Sequence, residues 1–186
     1  MIDYKIADAS GEASGYSYLT LTEIKNYLKV DASTDDLLLT DMYHAAAAYI
    51  ERQFKQTLKK RDIVIQFDST EKYIDLLFSP VTTITSVNYF VNDASGTFTD
   101  PTNYSTFGLI GSRARSTVLT FNQGYDKINV YYTSDGRVVP SEIKFATLAY
   151  IKVMYDNNRN FFDKDTPILP PTETIQLMSP YKPIVI

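Results

Sequence analysis

"HAAAAYIERQF", residues 44 to 54, sets the only histidine of the chain beside four consecutive alanines. A sole histidine invites a catalytic reading; four small residues ask instead what comes close to them, and from how many sides. Upstream, "ASTDDLLLTDMY" (32–43) continues the stretch at helical spacing. A helix is therefore predicted over about 34–58, with Ser33 as its cap and Asp36 at the third position. Asp35, Asp36 and Asp41 gather toward its start, and Arg52, Lys55, Lys59 and Lys60 toward its end, which complements the helix dipole. At 100° per residue, Ala45, Leu38, Tyr49, Met42, Ala46, Leu39, Ile50, Tyr43, Phe54 and Ala47 fill an arc of about 200°, about twice the stripe that one packing partner needs. This helix should meet partners on two sides, with Ala45, Ala46 and Ala47 marking places where a neighbouring backbone comes near.

Outward from that helix, "TLTE" (20–23) has capping-box spacing, so a short helix is expected to about Val30, burying Ile24, Tyr27 and Leu28. Residues 1–17 are small, polar and aperiodic, and read as a flexible or partner-ordered arm. From 60 to 133, segments such as "RDIVIQFD", "VTTITSVNYFV" and "KINVYYT" are rich in β-branched and aromatic residues. They predict an antiparallel β region inserted between helices, with "NDASG" (92–96) as a hairpin loop. "VPSE" (139–142) restarts a helix, with Ser141 as N-cap or Pro140 at the first helical position, running to about 157. Ile143, Phe145, Ala146, Leu148, Tyr150, Ile151, Val153, Met154 and Tyr155 point in almost every direction, so this helix should be covered all round. Either the β region supplies that cover or another subunit does. Five prolines (167, 170, 171, 180, 183) mark 159–186 as an extended tail that gains order by lying on something.

The expected class is thus α+β: a small bundle of three main helices, an inserted antiparallel β region and extended arms. The expected layout is an arm at 1–17, one domain over 18–158 (helices within 20–58 and 140–157, β insertion 60–133) and a tail from 159.

With 186 residues, one domain is expected to bury on the order of 70% of its unfolded surface. A net charge of -4 and a pI near 5.0 give no electrostatic footprint for nucleic acid. The absence of cysteine rules out disulfides, thiolate chemistry and Cys-based zinc sites. No apolar run reaches the roughly 20 residues of a membrane span, and the N-terminus is no signal peptide, so a protein made in a cytoplasm is expected.

Chemistry is hard to find. His44 lies on the polar face of its helix; among positions three or four away only Asp41 could pair with it, and one such pair is ordinary on a surface. The seven glycines form no phosphate-binding pattern, and no metal-ligating or nucleophile–base constellation is visible. No cofactor and no catalysis are expected. A rival reading takes Arg113 and Arg115 with a tyrosine-rich β surface as a module for single-stranded nucleic acid.

The order of the pieces resembles one family: the head–tail connector (adaptor, or head-completion) proteins of long-tailed bacteriophages, in their longer version with a β insertion. The matching stretches are "YLTLTEIKNYLKVDASTDDLLLTDMYHAAAAYIE" (18–51), "SPVTTITSVNYFVNDASGTFT" (79–99), "INVYYTSDGRVVPSEIKFATLAYIKVMYDNNR" (128–159) and "LMSPYKP" (177–183). Two departures stand out. Similar proteins usually carry a glycine–aromatic pair where this chain has Ser134-Asp135-Gly136, and the 1–17 arm looks like an addition. The resemblance implies a non-enzymatic virion protein made in the host bacterial cytoplasm. It would form a ring, typically of twelve subunits, beneath the portal protein, continue the channel for passing DNA and offer a platform to the tail or a stopper. It further implies that Pro180, Tyr181 and Lys182 reach toward the portal. The wheel arcs place the lateral contact of such a ring on Tyr43, Ala45, Ala46, Ala47, Ile50 and Phe54, with Tyr150 and Met154 of the last helix.

Overall fold

The computed structural model describes residues 2–9, 15–67, 73–91, 94–97, 104–107, 117–121, 126–159 and 169–181. In chain order they form β1 (Ile2–Asp8), α1 (Leu21–Leu28), α2 (Asp36–Phe54), β2 (Lys60–Phe67), β3 (Tyr73–Leu76), β4 (Val81–Val91), β5 (Ala94–Thr97), β6 (Tyr104–Phe107), β7 (Thr117–Phe121), β8 (Lys127–Asp135), α3 (Ser141–Arg159) and α4 (Thr172–Met178), with a 3-10 turn over Ser179–Tyr181. The class is α+β, with four α-helices and two antiparallel sheets among the described residues. That is one helix more than the bundle expected from sequence.

The larger sheet runs β1-β2-β8-β4-β5 and the smaller β3-β7-β6. Strict alternation in β2 and β8 sends every second side chain inward. Ile63, Ile65 and Phe67 of β2 join Ile128, Val130 and Tyr132 of β8, and meet Ile74 and Leu76 of β3 and Leu119 and Phe121 of β7 in one apolar core. A second core is helical, built on Leu39, Tyr43, Ala46, Ala47 and Ile50 of α2, Ile143, Ala146, Tyr150 and Ile151 of α3, and Met178 of α4. The β region therefore builds a core of its own, and the cover of α3 comes largely from α2, α4 and the segment around Tyr18.

Several expectations are corrected. Residues 2–8 are not a free arm; they pair with β2 from Ile2↔Phe67 to Asp8↔Arg61, because the otherwise open edge of β2 offers a row of backbone partners. Residues 169–181 of the tail fold back: Pro171 precedes α4, and Thr174 Oγ1 donates to the carbonyl of Ala146 at 3.0 Å. Ser33 does not cap α2 with its side chain. The helix starts at Asp36, whose N–H donates to the Ser33 carbonyl, and it stops at Phe54 because Lys55 turns left-handed (φ 53°). In α1 only Ile24 is buried; Leu28 is half-buried and Tyr27 is 38% exposed. Neither expected start of α3 holds: its first residue is Ser141, and the Pro140 carbonyl accepts from Lys144 N–H, the N-cap role. The 92–96 hairpin is tighter than a five-residue loop, since Ala94, Ser95 and Gly96 already pair with β4 from Val91↔Ala94 onward.

Candidate assembly surfaces

The apolar arc of α2 divides into two halves. Leu39, Tyr43, Ala46, Ala47, Ile50 and Phe54 are buried in the helical core of the same chain. On the other half Ala45 is exposed, Leu38 is 36% exposed, and Met42 and Tyr49 are half-buried. Of the residues expected at a lateral contact, Tyr43, Ala46, Ala47, Ile50, Phe54 and Tyr150 already serve the chain's own core, whereas Ala45 and half-buried Met154 remain within reach of a neighbour. The small side chains at 46 and 47 thus admit α2's own neighbours, and the one at 45 faces outward. Tyr49 marks the seam between the halves, its ring edge-on to Tyr150 at 5.2 Å.

His44 is no bare surface residue and does not pair with Asp41. Its ring stacks on Tyr43 (5.2 Å, 30° between planes), and Nδ1 accepts a long hydrogen bond from Tyr16 N–H at 3.4 Å. A Cβ on Gly15 would stand 2.9 Å from His44 Cε1, so the chain passes close over this ring. The histidine helps hold the 15–19 segment on α2, along with the Tyr43 hydroxyl, which accepts from Leu19 N–H at 3.2 Å.

Two turns further along α2 lies a polar hub that the sequence did not disclose. Glu51 is buried; Oε1 accepts from Leu58 N–H (3.1 Å) and Arg61 Nε (3.2 Å), and Oε2 accepts from the Tyr16 hydroxyl (2.6 Å) and the Arg61 guanidinium. Arg61 also reaches Asp8, as does buried Lys59 at 2.6 Å. Burial pushes the Tyr16 hydroxyl well above the usual phenol range, and the adjacent Glu51 carboxylate pushes it further. The hydrogen bond and charge of Glu51 raise the Arg61 guanidinium against the lowering effect of burial, the largest single influence. A small open cleft of roughly 230 Å3 borders this hub between Ile6, Ala48 and Arg52, but the Arg61 donors are turned to Asp8, Glu51 and Tyr16. The arrangement fastens β1 and the 15–19 segment to the helix; it presents no nucleophile and no proton-transfer pair. Nothing in the spacing of Glu51 and Arg61 hints at the pairing, because the turn between α2 and β2 brings them together.

That turn is clamped from above. Thr57 Oγ1 donates to the Ser79 carbonyl (3.0 Å) and lies against the Ser134 hydroxyl, and Ser134 Oγ donates to the Pro80 carbonyl (2.6 Å). A Cβ on Gly136 would overlap the carbonyl of Thr57, so the glycine of the Ser134-Asp135-Gly136 departure is needed for close backbone approach.

At the C-terminal end, Pro180 is exposed and Tyr181 half-buried, and the Tyr181 carbonyl accepts from Gln56 Nε2 at 2.8 Å, which ties the turn to the end of α2. Lys182, Arg113 and Arg115 lie outside the described residues. No group of three or more His, Cys, Asp or Glu suited to a metal occurs among the described residues. No described helix is long and apolar enough to cross a membrane.

No protein-family model matches the sequence, and no curated protein is significantly similar to it. Solved structures do match in fold. A chain from the neck of an empty GTA particle with C6 symmetry superposes with a TM-score of 0.67 at 13% identity, over 100% of this chain and 97% of that one. A chain from the virion of a native gene transfer agent (GTA) particle gives 0.67 at 13%, covering 97% and 96%. A chain from the neck of the native GTA particle with C12 symmetry gives 0.57 at 15%, covering 100% and 97%. The fold is that of neck proteins of such particles, as the connector resemblance led one to expect.

Proposed function

We propose that this chain is a structural subunit of a virion neck: a head–tail connector (adaptor) that forms a ring under the portal, continues the DNA channel and offers a docking platform to the tail or a stopper protein. The observation that carries this reading is the fold likeness to chains from GTA necks, which covers 100% of this chain and 97% of that one. The sixfold and twelvefold symmetry of those necks fits a closed ring of six or twelve copies, with twelve the expected number. The exposed half of the α2 arc, including Ala45, supplies apolar surface for a lateral neighbour, and half-buried Met154 of α3 supplies more. Exposed Pro180, with Tyr181 and Lys182, is the segment offered to the portal. The role is mechanical, with no cofactor, and the protein resides in the virion after synthesis in the bacterial cytoplasm. The negative charge suits a channel along which DNA slides, since phosphate contacts would create affinity.

Electron microscopy of the protein mixed with its portal, alongside native mass spectrometry, tests the reading. A ring seated on the portal is expected. A chain that stays monomeric and ignores the portal would sink it.

A further inference from the structure

The helical layer carries two surface seams whose spacings match. On α2, positions 38, 42, 45, 49 and 52 follow one another in steps of four and three, the spacing of a coiled-coil seam. This is the outward half of the arc, with Leu38 and Ala45 exposed and Met42 and Tyr49 half-buried. On α3, positions 142, 145, 149, 152 and 156 do the same; Phe145 is 56% exposed and Ala149 half-buried.

Resting on the ring reading above, we propose that the α2 seam of one copy packs antiparallel against the α3 seam of the next copy, with Ala45 crossing Ala149. Read in opposite directions, the two sets of steps coincide position for position. Tyr49 then falls on Phe145, the two alanines meet at the centre and let the backbones approach, and Met42 lies on the methylene stem of Lys152.

Charge supports the direction set by the matching steps and a second copy as the occupant, with Lys152 also within 2.9 Å of Asp156 in its own chain. Asp41 and Arg52 are exposed and pair with no described residue of their own chain; they stand about 16 Å apart along α2 at 1.5 Å per residue. Glu142 and Lys152 are exposed on α3 about 15 Å apart by the same rise. The antiparallel register sets Arg52 against Glu142 and Asp41 beside Lys152. A parallel register through the same alanines would set Arg52 against Asp156 but put Asp41 opposite Phe145, one turn from Glu142, so that only one of the two charges meets an opposite partner on the seam. The two seams are different surfaces, so each copy that binds one neighbour keeps the other seam free, a head-to-tail contact that closes only as a ring.

The absence of cysteine makes the test clean. The double variant Ala45→Cys/Ala149→Cys, oxidised in the otherwise intact chain, should give a ladder of covalent multimers on a non-reducing gel, because disulfides form only at short Cα separations. Neither single variant should form a ladder, and a mixture of the two should give dimers. Separately, Arg52→Glu should weaken association several-fold in sedimentation, and Arg52→Glu/Glu142→Arg should restore it. Wild-type oligomers alongside an unlinked double variant would overturn this contact and leave the ring reading standing. An unlinked double variant with a monomeric wild type overturns the contact too, since trapping catches even brief encounters; the ring reading falls with it only if the chain also ignores the portal.

Discussion

Arg61 touches three separate pieces of the chain, Asp8 at the end of β1, Tyr16 and Glu51, and the partners are not equal in what they contribute. Asp8 is about a third exposed, so water and salt screen its pairing, and Asp8→Asn should shift stability by under about 1 kcal/mol. Glu51 is buried and accepts four hydrogen bonds; Glu51→Ala leaves Arg61 and the Leu58 N–H facing an empty site and should cost about 3–5 kcal/mol. Tyr16→Phe removes the hydrogen bond donated to the Glu51 carboxylate and the longer one accepted from the Arg61 guanidinium, and should fall between, at about 1.5–3 kcal/mol. Urea unfolding of the three variants checks that order, and a Glu51→Ala protein as stable as wild type would show that the hub is not what fastens the N-terminal segment. At Gly136 the obstacle is a backbone carbonyl that no rotamer change can move aside. Gly136→Ala should cost about 3 kcal/mol, the upper end for overpacking, in the same measurement.

Among the elements, α1 is fixed at its start and strained at its end. Thr20 and Glu23 form the full capping box, with the Thr20 N–H donating to Glu23 at 2.7 Å and the Glu23 N–H to Thr20 at 3.2 Å. Thr20→Ala should therefore lose about 1 kcal/mol. Lys29, which is exposed, closes the helix in the left-handed region at φ 56°, where glycine carries no Cβ penalty, so Lys29→Gly should gain about 0.5–1 kcal/mol. Thermal melts followed by circular dichroism should move in opposite directions for the two. The box at 20–23 was legible in the sequence because its chemistry is local, and so were the β region and the three longer helical stretches, whose periodicity spans many residues. The end of α2 was not: Lys55 turns left-handed without glycine, with its ammonium over the rings of Tyr4 in β1 and Phe78 in the β3–β4 connection, both distant in sequence. Nor was β1, whose polar "DYKIAD" pairs through backbone groups on the edge of β2. The seven-residue α4 forms because Met178 and Thr174 bury against the helical core, a reward invisible in a proline-rich tail. For the assembly surface, the width of the α2 arc could be read from its wheel, but which half the chain keeps for itself depends on where α3 lies.

At the scale of the whole molecule, the helical and sandwich cores both rest on tyrosines whose hydroxyls sit inside. Burial raises Tyr43 to about 12, even though hydrogen bonds from the Leu19 and Tyr18 backbone lower it. Burial likewise raises Tyr18, paired with Thr147, and Tyr132 in the sandwich, whose hydroxyl accepts from Phe78 N–H. Each of these groups binds its proton more tightly folded than unfolded, where the ordinary value is 10.0. Above that pH the unfolded chain sheds protons that the native chain retains, so stability must fall as pH rises. The contribution is complete below pH 10 and is lost progressively as pH climbs through the folded value, about 12 for Tyr43. Because one tyrosine group lies in the helical core and Tyr132 in the sheet core, alkali should open both layers within one window. Tyrosinate absorbance and far-ultraviolet circular dichroism, followed together from neutral pH upward, should show the buried tyrosines ionising in step with unfolding. Ionisation of every tyrosine near pH 10 with native circular dichroism intact would mean that these hydroxyls are open to water, and the packing of both cores would need to be redrawn.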